Sequence, residues 1–172
     1  MLNQFQNSKR IDCHFHILGD GSSGSGCWIR LSTLRKLKAR YMVSQMQLPQ
    51  SVLAGGLDQL YAARAREMIA SSSLDAAMIL AHEEPYDDSG RRITGVNSFY
   101  TPNDYVLTLA KNTPEFIPAV SIHPARRDAL EELDRSIALG ALMMKCLPNC
   151  QNINCSDPRF TPFWQKMADS GT

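Results

Sequence analysis

Residues 10–17, RIDCHFHI, form an apolar run near the start of the sequence that carries two histidines, His14 and His16. A short continuous run of this kind is typical of a strand in a parallel sheet, buried on both faces. Side chains two residues apart on a strand point to the same side, so His14 and His16 are predicted to project together, away from Cys13 and Phe15. Two adjacent imidazoles can share a cation, and imidazole is a common zinc ligand. The alternative is a pair of half-buried histidines satisfied by backbone or water.

Three further apolar runs follow, at residues 75–82 (DAAMILAH), 116–122 (FIPAVSI) and 141–147 (ALMMKCL). The segments between and after them show apolar residues at spacings of three, four and seven, which predicts helices carrying Leu57, Leu60, Tyr61, Met68 and Ile69; Leu130, Leu133 and Ile137; and Phe160, Phe163, Trp164 and Met167. A shorter helix is predicted over 103–112. Asp128 and Glu131 predict a capping box, and Gly171 stands where the last helix should stop. The alternation of strand and helix predicts an α/β fold with parallel strands.

The bulk composition of the 172 residues is that of one globular domain spanning 1–172, with 44% hydrophobic and 20% charged residues. Its 18 Lys and Arg nearly balance 17 Asp and Glu, so no net electrostatic field selects nucleic acid or an anionic membrane, and we expect a small-molecule substrate as partner.

The cysteines and the start of the sequence bear on the compartment. The five cysteines are an odd number and no secretion signal precedes them, so we expect reduced thiols and a cytoplasmic protein. No apolar run reaches the roughly 20 residues needed to cross a bilayer.

The stretch IDCHFHILG resembles the D-x-H-x-H start of the amidohydrolase superfamily. Within that superfamily it is similar to the amidohydrolase-related TIM-barrel metal-dependent hydrolases that include the aminocarboxymuconate-semialdehyde decarboxylases. Supporting similarity comes from FIPAVSIHP at 116–124, GALMMKCLP at 140–148 and DPRFTPFWQKMADSG at 157–171. The resemblance implies a (β/α)8 barrel, with His14 and His16 as ligands of a divalent metal, zinc being the expected ion. It also implies hydrolysis or non-oxidative decarboxylation of a small carboxylate or carbonyl compound.

The family completes its metal site with histidines after strands five and six and an aspartate after strand eight, and this sequence contains none of these. About four βα units are recognisable, whereas a closed barrel usually takes about 200 to 250 residues or more. We therefore expect a partial (β/α)8 TIM barrel, an apparently truncated N-terminal half whose open strand edges favour self-association into a homo-oligomer. The alternative is a non-catalytic half-barrel that persists as a fragment, an oligomer or a binding partner.

Three residues that follow the later strands are candidates for substrate binding, and each has a structural alternative. Lys145 lies near the end of strand four, where some amidohydrolases carry a carboxylated lysine that bridges two metals, but a lysine that binds substrate or supports the fold is expected instead. His123 follows strand three. It is expected either to contact substrate or to order its loop by binding a backbone carbonyl. His82 follows strand two and is a substrate contact or a hydrogen-bonded histidine at a strand end.

Three other features are predicted to be structural. The spacings of Cys146, Cys150 and Cys155 do not match a common zinc site, so ordinary thiols are expected. Residues 87–92 (DDSGRR) read as a solvated turn in a long loop that can form part of a lid. The basic residues among 30–40 lie on a helical pattern with Leu31, Leu34 and Leu37. This pattern predicts a solvated helix between strands one and two, with nucleic-acid or membrane binding as the alternative.

Overall fold

A curled sheet of four parallel strands forms the centre of the computed structural model, which describes residues 10–171. The strands of the described chain are β1 (Ile11–His16), β2 (Trp28–Ile29), β3 (Ala76–Leu80), β4 (Phe99–Tyr100), β5 (Phe116–Val120) and β6 (Met143–Met144). The main sheet has the order β1-β3-β5-β6, and β2 pairs with β4 in a small antiparallel ribbon. The four predicted strands and the α/β class are confirmed, and the curled sheet is that of a partial βα barrel. The predicted domain spans residues 1–172, and of these, residues 1–9 and residue 172 lie outside the described part of the chain.

Helices alternate with these strands along the chain. They are α1 (Thr33–Gln45), α2 (Leu57–Ala70), α3 (Asn103–Asn112), α4 (Ala129–Ala138), α5 (Pro148–Gln151) and α6 (Thr161–Ser170), with 3-10 turns at Gln50–Ala54 and Pro158–Phe160. Four of the predicted helices are confirmed as α2, α3, α4 and α6, and Gly171 ends α6 with a φ of 70°. Within residues 10–171, none of these helices combines the length and the apolar character needed to cross a membrane.

The predicted capping box at the start of α4 is wrong. Asp128 occupies the N-cap position but its side chain makes no capping hydrogen bond. Both of its carboxylate oxygens instead accept hydrogen bonds from the Arg126 guanidinium, at 2.9 and 2.8 Å. A charge-assisted bidentate pair is stronger than a hydrogen bond from a neutral backbone amide. The Asp128 carboxylate therefore binds Arg126 and does not cap the helix.

Side-chain alternation gives the curled sheet two distinct faces. The convex face packs against the helices through two clusters, one containing Phe15, Ile17, Ala77, Ile79 and Ala81 and the other Val120, Ile122 and Met144. Neighbouring residues on a strand point to opposite sides. The concave face therefore carries His14 and His16 from β1, and His82, His123 and Lys145 from the positions that follow β3, β5 and β6.

Helix α1 lies between β1 and β3 in the chain, as predicted, but its apolar pattern does not mark a buried face. Val43 is its buried residue, whereas Leu34 and Leu37 are 85% and 69% exposed. The basic residues of the helix are also solvated, in agreement with the predicted charged surface. The leucines are exposed because α1 contacts the body of the protein through its opposite side, around Val43.

Candidate functional site

His14 and His16 converge at the carboxyl edge of the sheet, the edge at which all four parallel strands end. Their Nε2 atoms lie 3.1 Å apart and their ring centroids 5.0 Å apart, so the prediction that the two imidazoles project together is confirmed. Two nitrogens bound to one tetrahedral zinc at about 2.0–2.1 Å each lie about 3.3 Å apart. The observed spacing therefore suits either a shared metal ion or a hydrogen bond between the rings.

The surroundings of His16 favour its neutral form. Burial lowers the pKa of His16, and the nearby charges of His14 and Lys145 lower it further. Its Nδ1 atom is buried and has no hydrogen-bond partner, and Tyr61 donates to its backbone carbonyl at 3.1 Å. Neutral imidazole is the form that binds a metal, so protonation does not compete with the ligand role near neutral pH.

The loop that follows β1 is fixed by Asp58, a residue of the first turn of α2 that sequence reasoning missed. The Asp58 carboxylate accepts hydrogen bonds from the backbone amides of Asp20, Gly21 and Ser23 at 2.7, 3.1 and 2.9 Å. The Ser23 hydroxyl adds a fourth at 2.6 Å. Burial alone would raise the pKa of Asp58, but these hydrogen bonds outweigh it and lower the pKa to about 2. The glycine-rich loop at residues 19–26 is thus held by one carboxylate.

His82 lies next to His16 on the concave face. The centroids of the two rings are 6.4 Å apart, and the His82 ring stacks on Phe99 at 4.2 Å. Backbone hydrogen bonds with Thr101, of 2.9 and 3.1 Å, hold the residue in place. Burial, followed by the charges of His16 and Lys145, lowers the pKa of His82 to about 4. The Nδ1 atom of His82 is buried without a hydrogen-bond partner. No sequence signal pointed to Phe99, because the backbone bridge between His82 and Thr101 is what brings the segment containing β4 beside the His82 ring.

Lys145 occupies the same face one strand beyond His123. Its amide donates to the Val120 carbonyl at 2.6 Å, which continues the pairing of β5 with β6, and its carbonyl accepts from the Ser121 hydroxyl at 2.9 Å. Its positive charge contributes to the lowered pKa values of both His16 and His82. His14, His16, His82 and Lys145 therefore all lie on the concave face at the carboxyl edge, and the rings of His14, His16 and His82 are neighbours there.

His123 is also at this edge, but protein groups occupy both of its ring nitrogens. The residue is 1% exposed, Nε2 lies 2.8 Å from the Gln151 carbonyl, and Nδ1 accepts from the Ala125 amide at 3.1 Å. These contacts match the loop-ordering alternative, and a substrate contact would have to replace one of them. A cavity of about 590 Å³ opens beside His123, and its lining includes Tyr86, Asn152 and Arg159.

Two buried groups that sequence reasoning missed connect the loops around the site. Glu83 is 3% exposed and pairs with Arg126 at 2.6 Å. Gln151 is 1% exposed and donates to the Ser121 hydroxyl at 3.0 Å, while its side-chain oxygen accepts from the Leu147 amide at 2.6 Å. The run His82-Glu83-Glu84 was the available signal, since acidic residues directly after an apolar strand must find partners when they are buried.

The other predicted structural features lie apart from the histidines. Asp87 accepts from Ser89 and Arg91 within the exposed turn, as the sequence predicted. The thiols of Cys146, Cys150 and Cys155 are free. Within residues 10–171 no group of three or more His, Cys, Asp or Glu side chains is arranged to hold a metal ion. His14 and His16 thus lack a third protein ligand in the described part of the chain.

No protein-family model, no curated protein and no solved structure matches this chain. The functional assignment therefore depends on the arrangement of the residues at the carboxyl edge.

Proposed function

We propose that this chain forms part of a metal-dependent hydrolase or decarboxylase of the amidohydrolase-related type, in which His14 and His16 bind a divalent metal, with zinc as the expected ion. The observation that carries the proposal is the 3.1 Å separation of their Nε2 atoms at the carboxyl edge of a curled parallel sheet. Parallel βα folds commonly place their active sites at this edge.

The two imidazoles fit two positions of a zinc site, and the remaining positions require water, substrate or groups outside the described residues. When bound, such a metal would lower the pKa of a water molecule or polarise a substrate carbonyl or carboxylate. The chain's own contribution is to orient the ligands: strand alternation aligns the imidazoles, and burial keeps His16 neutral. The five free cysteines fit a reducing compartment, so the proposal places the protein in the cytoplasm.

A second candidate is a chain without catalytic activity. It is favoured by the lack of a third ligand among residues 10–171. In that case the two histidines share a hydrogen bond, and the protein acts as an oligomer or binding partner.

Metal binding separates the two candidates. Purified chain is freed of metal with a chelator, reloaded with zinc or cobalt(II), dialysed, and measured for metal content and by titration calorimetry. We expect the double variant His14→Ala/His16→Ala to lose at least tenfold in affinity, because both imidazoles are removed. His82→Asn is the matched control: it lies on the same face and should retain the wild-type affinity within about threefold. Equal metal affinity in the double variant and the wild type would overturn the metal proposal.

A further inference from the structure

A cavity of about 480 Å³ lies between helix α1 and the body of the protein. Its walls come from α1, from α2 and the turn at Gln50–Ala54, and from the small ribbon of β2 and β4. The lining is apolar except at four positions, which are Arg35, Lys38, Gln45 and Ser98. Small-molecule sites typically occupy about 300 to 1,000 Å³ and are lined mostly by apolar side chains. The size and lining of this cavity are therefore those of a ligand site.

The charged residues of the lining are both cations. Arg35 and Lys38 lie three residues apart on α1, so their side chains project from neighbouring positions on one side of the helix. Among residues 10–171 neither side chain has an ion-pair partner. Residues 21–57 include further basic side chains and no acidic one, so the electrostatic potential here is positive although the whole chain is nearly neutral. The cavity thus joins apolar walls to an unneutralised positive charge.

We propose that this cavity binds a single-chain amphiphile with an anionic head group, its alkyl chain against the apolar walls and its head beside Arg35 and Lys38. The walls stabilise the chain, because each buried methylene group raises the affinity roughly fourfold. The two cations stabilise the head and select against a cationic amphiphile. A small hydrophilic anion would leave the apolar walls in contact with water, and a hydrocarbon would leave both cations unpaired.

The opposite side of α1 does not belong to the cavity. Leu34 and Leu37 project from that side and are 85% and 69% exposed, and neither lines the cavity. An anionic bilayer would contact this outer side, whereas a free amphiphile contacts the inner side. The inner side is favoured, because only there do apolar walls enclose a volume that has cations in its lining.

The cavity is separated from the histidines by two aromatic residues, Phe99 and Tyr61, which line it. The Phe99 ring stacks on His82 at 4.2 Å, and the Tyr61 hydroxyl donates to the His16 carbonyl at 3.1 Å. The lining itself contains no histidine. The proposed amphiphile site is therefore distinct from the proposed metal site, and it goes beyond the proposed function. Because binding of the amphiphile requires no metal, failure of the metal proposal leaves this one unaffected.

The test is a calorimetric titration of the full chain with decyl phosphate below its critical micelle concentration. We expect saturation at one molecule per chain. Octyl phosphate should bind roughly fifteenfold more weakly, because it buries two methylene groups fewer. Decyltrimethylammonium has the same alkyl chain and the opposite charge, and it should bind at least tenfold more weakly than decyl phosphate.

One pair of variants tests the cavity volume. Ala39 lines the cavity, so Ala39→Trp places a large side chain in it and should weaken decyl phosphate binding at least tenfold. Leu34→Trp is the matched control, because it introduces the same side chain on the outer side of the same helix. Its affinity should stay within twofold of wild type.

A second pair of variants tests the charge. Arg35→Glu/Lys38→Glu reverses both cations of the lining and should weaken decyl phosphate binding at least tenfold. Lys36→Glu/Arg40→Glu reverses the same charge at exposed positions of α1 outside the lining, and should weaken binding threefold at most, because salt screens the more distant charges. All four side chains are exposed, so this comparison decides the proposal even if Ala39→Trp fails to fold.

Several outcomes would overturn the proposal. Equal losses of affinity in the two charge-reversed variants would do so, as would wild-type affinity in a folded Ala39→Trp variant. Binding of many decyl phosphate molecules per chain would indicate adsorption to the surface. Binding to phosphatidylglycerol vesicles that Leu34→Ser abolishes, without binding of monomeric decyl phosphate, would assign α1 to a bilayer. A dimer in sedimentation velocity that Ala39→Trp dissociates would assign the cavity to a second copy of the chain.

Discussion

The Arg126 guanidinium donates a hydrogen bond of 2.6 Å to the Glu83 carboxylate, and this pair ties the segment after β5 to the segment after β3. The Glu83 side chain is 3% exposed and that of Arg126 is 17% exposed. Burial raises the pKa of Glu83, although the charge of Arg126 opposes the shift. Arg126 has a second partner in Asp128, at 2.8 Å, whereas Glu83 has no other cation within ion-pair distance in the described chain.

Removing Arg126 should therefore lower the free energy of unfolding more than removing Glu83. Arg126→Met leaves a buried carboxylate without a counter-ion and should cost about 3 to 5 kcal/mol of unfolding free energy. Glu83→Gln leaves Arg126 paired with Asp128 and should cost less, about 1 to 2 kcal/mol. Urea unfolding of both variants and of the double variant gives the coupling energy. Equal losses of unfolding free energy in Arg126→Met and Glu83→Gln would contradict this expected difference.

The Asp58 carboxylate should make stability depend on pH in the acid range. Its folded pKa of about 2 lies below the unfolded value of 3.8, so its stabilisation is present above about pH 4 and is lost as the pH falls toward 2. Asp58→Asn keeps the size but loses acceptor sites for Ser23, which should cost about 1 to 3 kcal/mol at pH 7. The difference from wild type should shrink between pH 4 and pH 2.

The control for Asp58 is Asp134→Asn, which removes an exposed partner of Lys166 and should change stability by no more than about 0.5 kcal/mol. Thermal or urea unfolding across pH 2 to 7 provides the comparison. Equal protection of the loop at residues 19–26 from proteolysis in Asp58→Asn and in wild type would contradict the anchoring role.

The two buried histidines should respond differently to replacement by leucine, which has a similar volume. His123→Leu leaves the Gln151 carbonyl and the Ala125 amide without their partners and should cost about 2 to 4 kcal/mol. His82→Leu removes a buried nitrogen that has no partner, so its effect should stay within about 1 kcal/mol of zero. The free energies of unfolding measure both, and a His82→Leu loss as large as that of His123→Leu would show that His82 has a structural role.

Two substitutions in helix α1 test whether burial, rather than the apolar pattern of the sequence, decides how much a side chain contributes to stability. Leu34→Glu should leave the free energy of unfolding within about 0.5 kcal/mol of wild type, because the side chain is 85% exposed. Val43→Ala removes buried methyl groups from the contact with Val52 and Leu57 and should cost about 1 to 3 kcal/mol. If Leu34→Glu proved as destabilising as Val43→Ala, the leucine would have to be covered in solution.

The sequence predicted the elements of the fold well because each depends on local patterns. The run RIDCHFHI became β1, and the spacing of apolar residues located α2, α3, α4 and α6. The same reasoning failed at α1, where the leucine pattern is present but the buried side is around Val43. It also failed at Asp128, because the competing Arg126 contact depends on side-chain packing rather than on the local chain.

What the sequence determined by itself was the class of fold and the common direction of His14 and His16, since strand periodicity fixes both. Tertiary structure decided which other groups join them. His82 and Lys145 share an edge with the pair because the strand order β1-β3-β5-β6 aligns the carboxyl ends of strands that are distant in the sequence. Phe99, Asp58 and Gln151 fix the site through contacts between distant segments. Such contacts carry no periodic signature, because they arise when the chain packs rather than from the sequence around each residue.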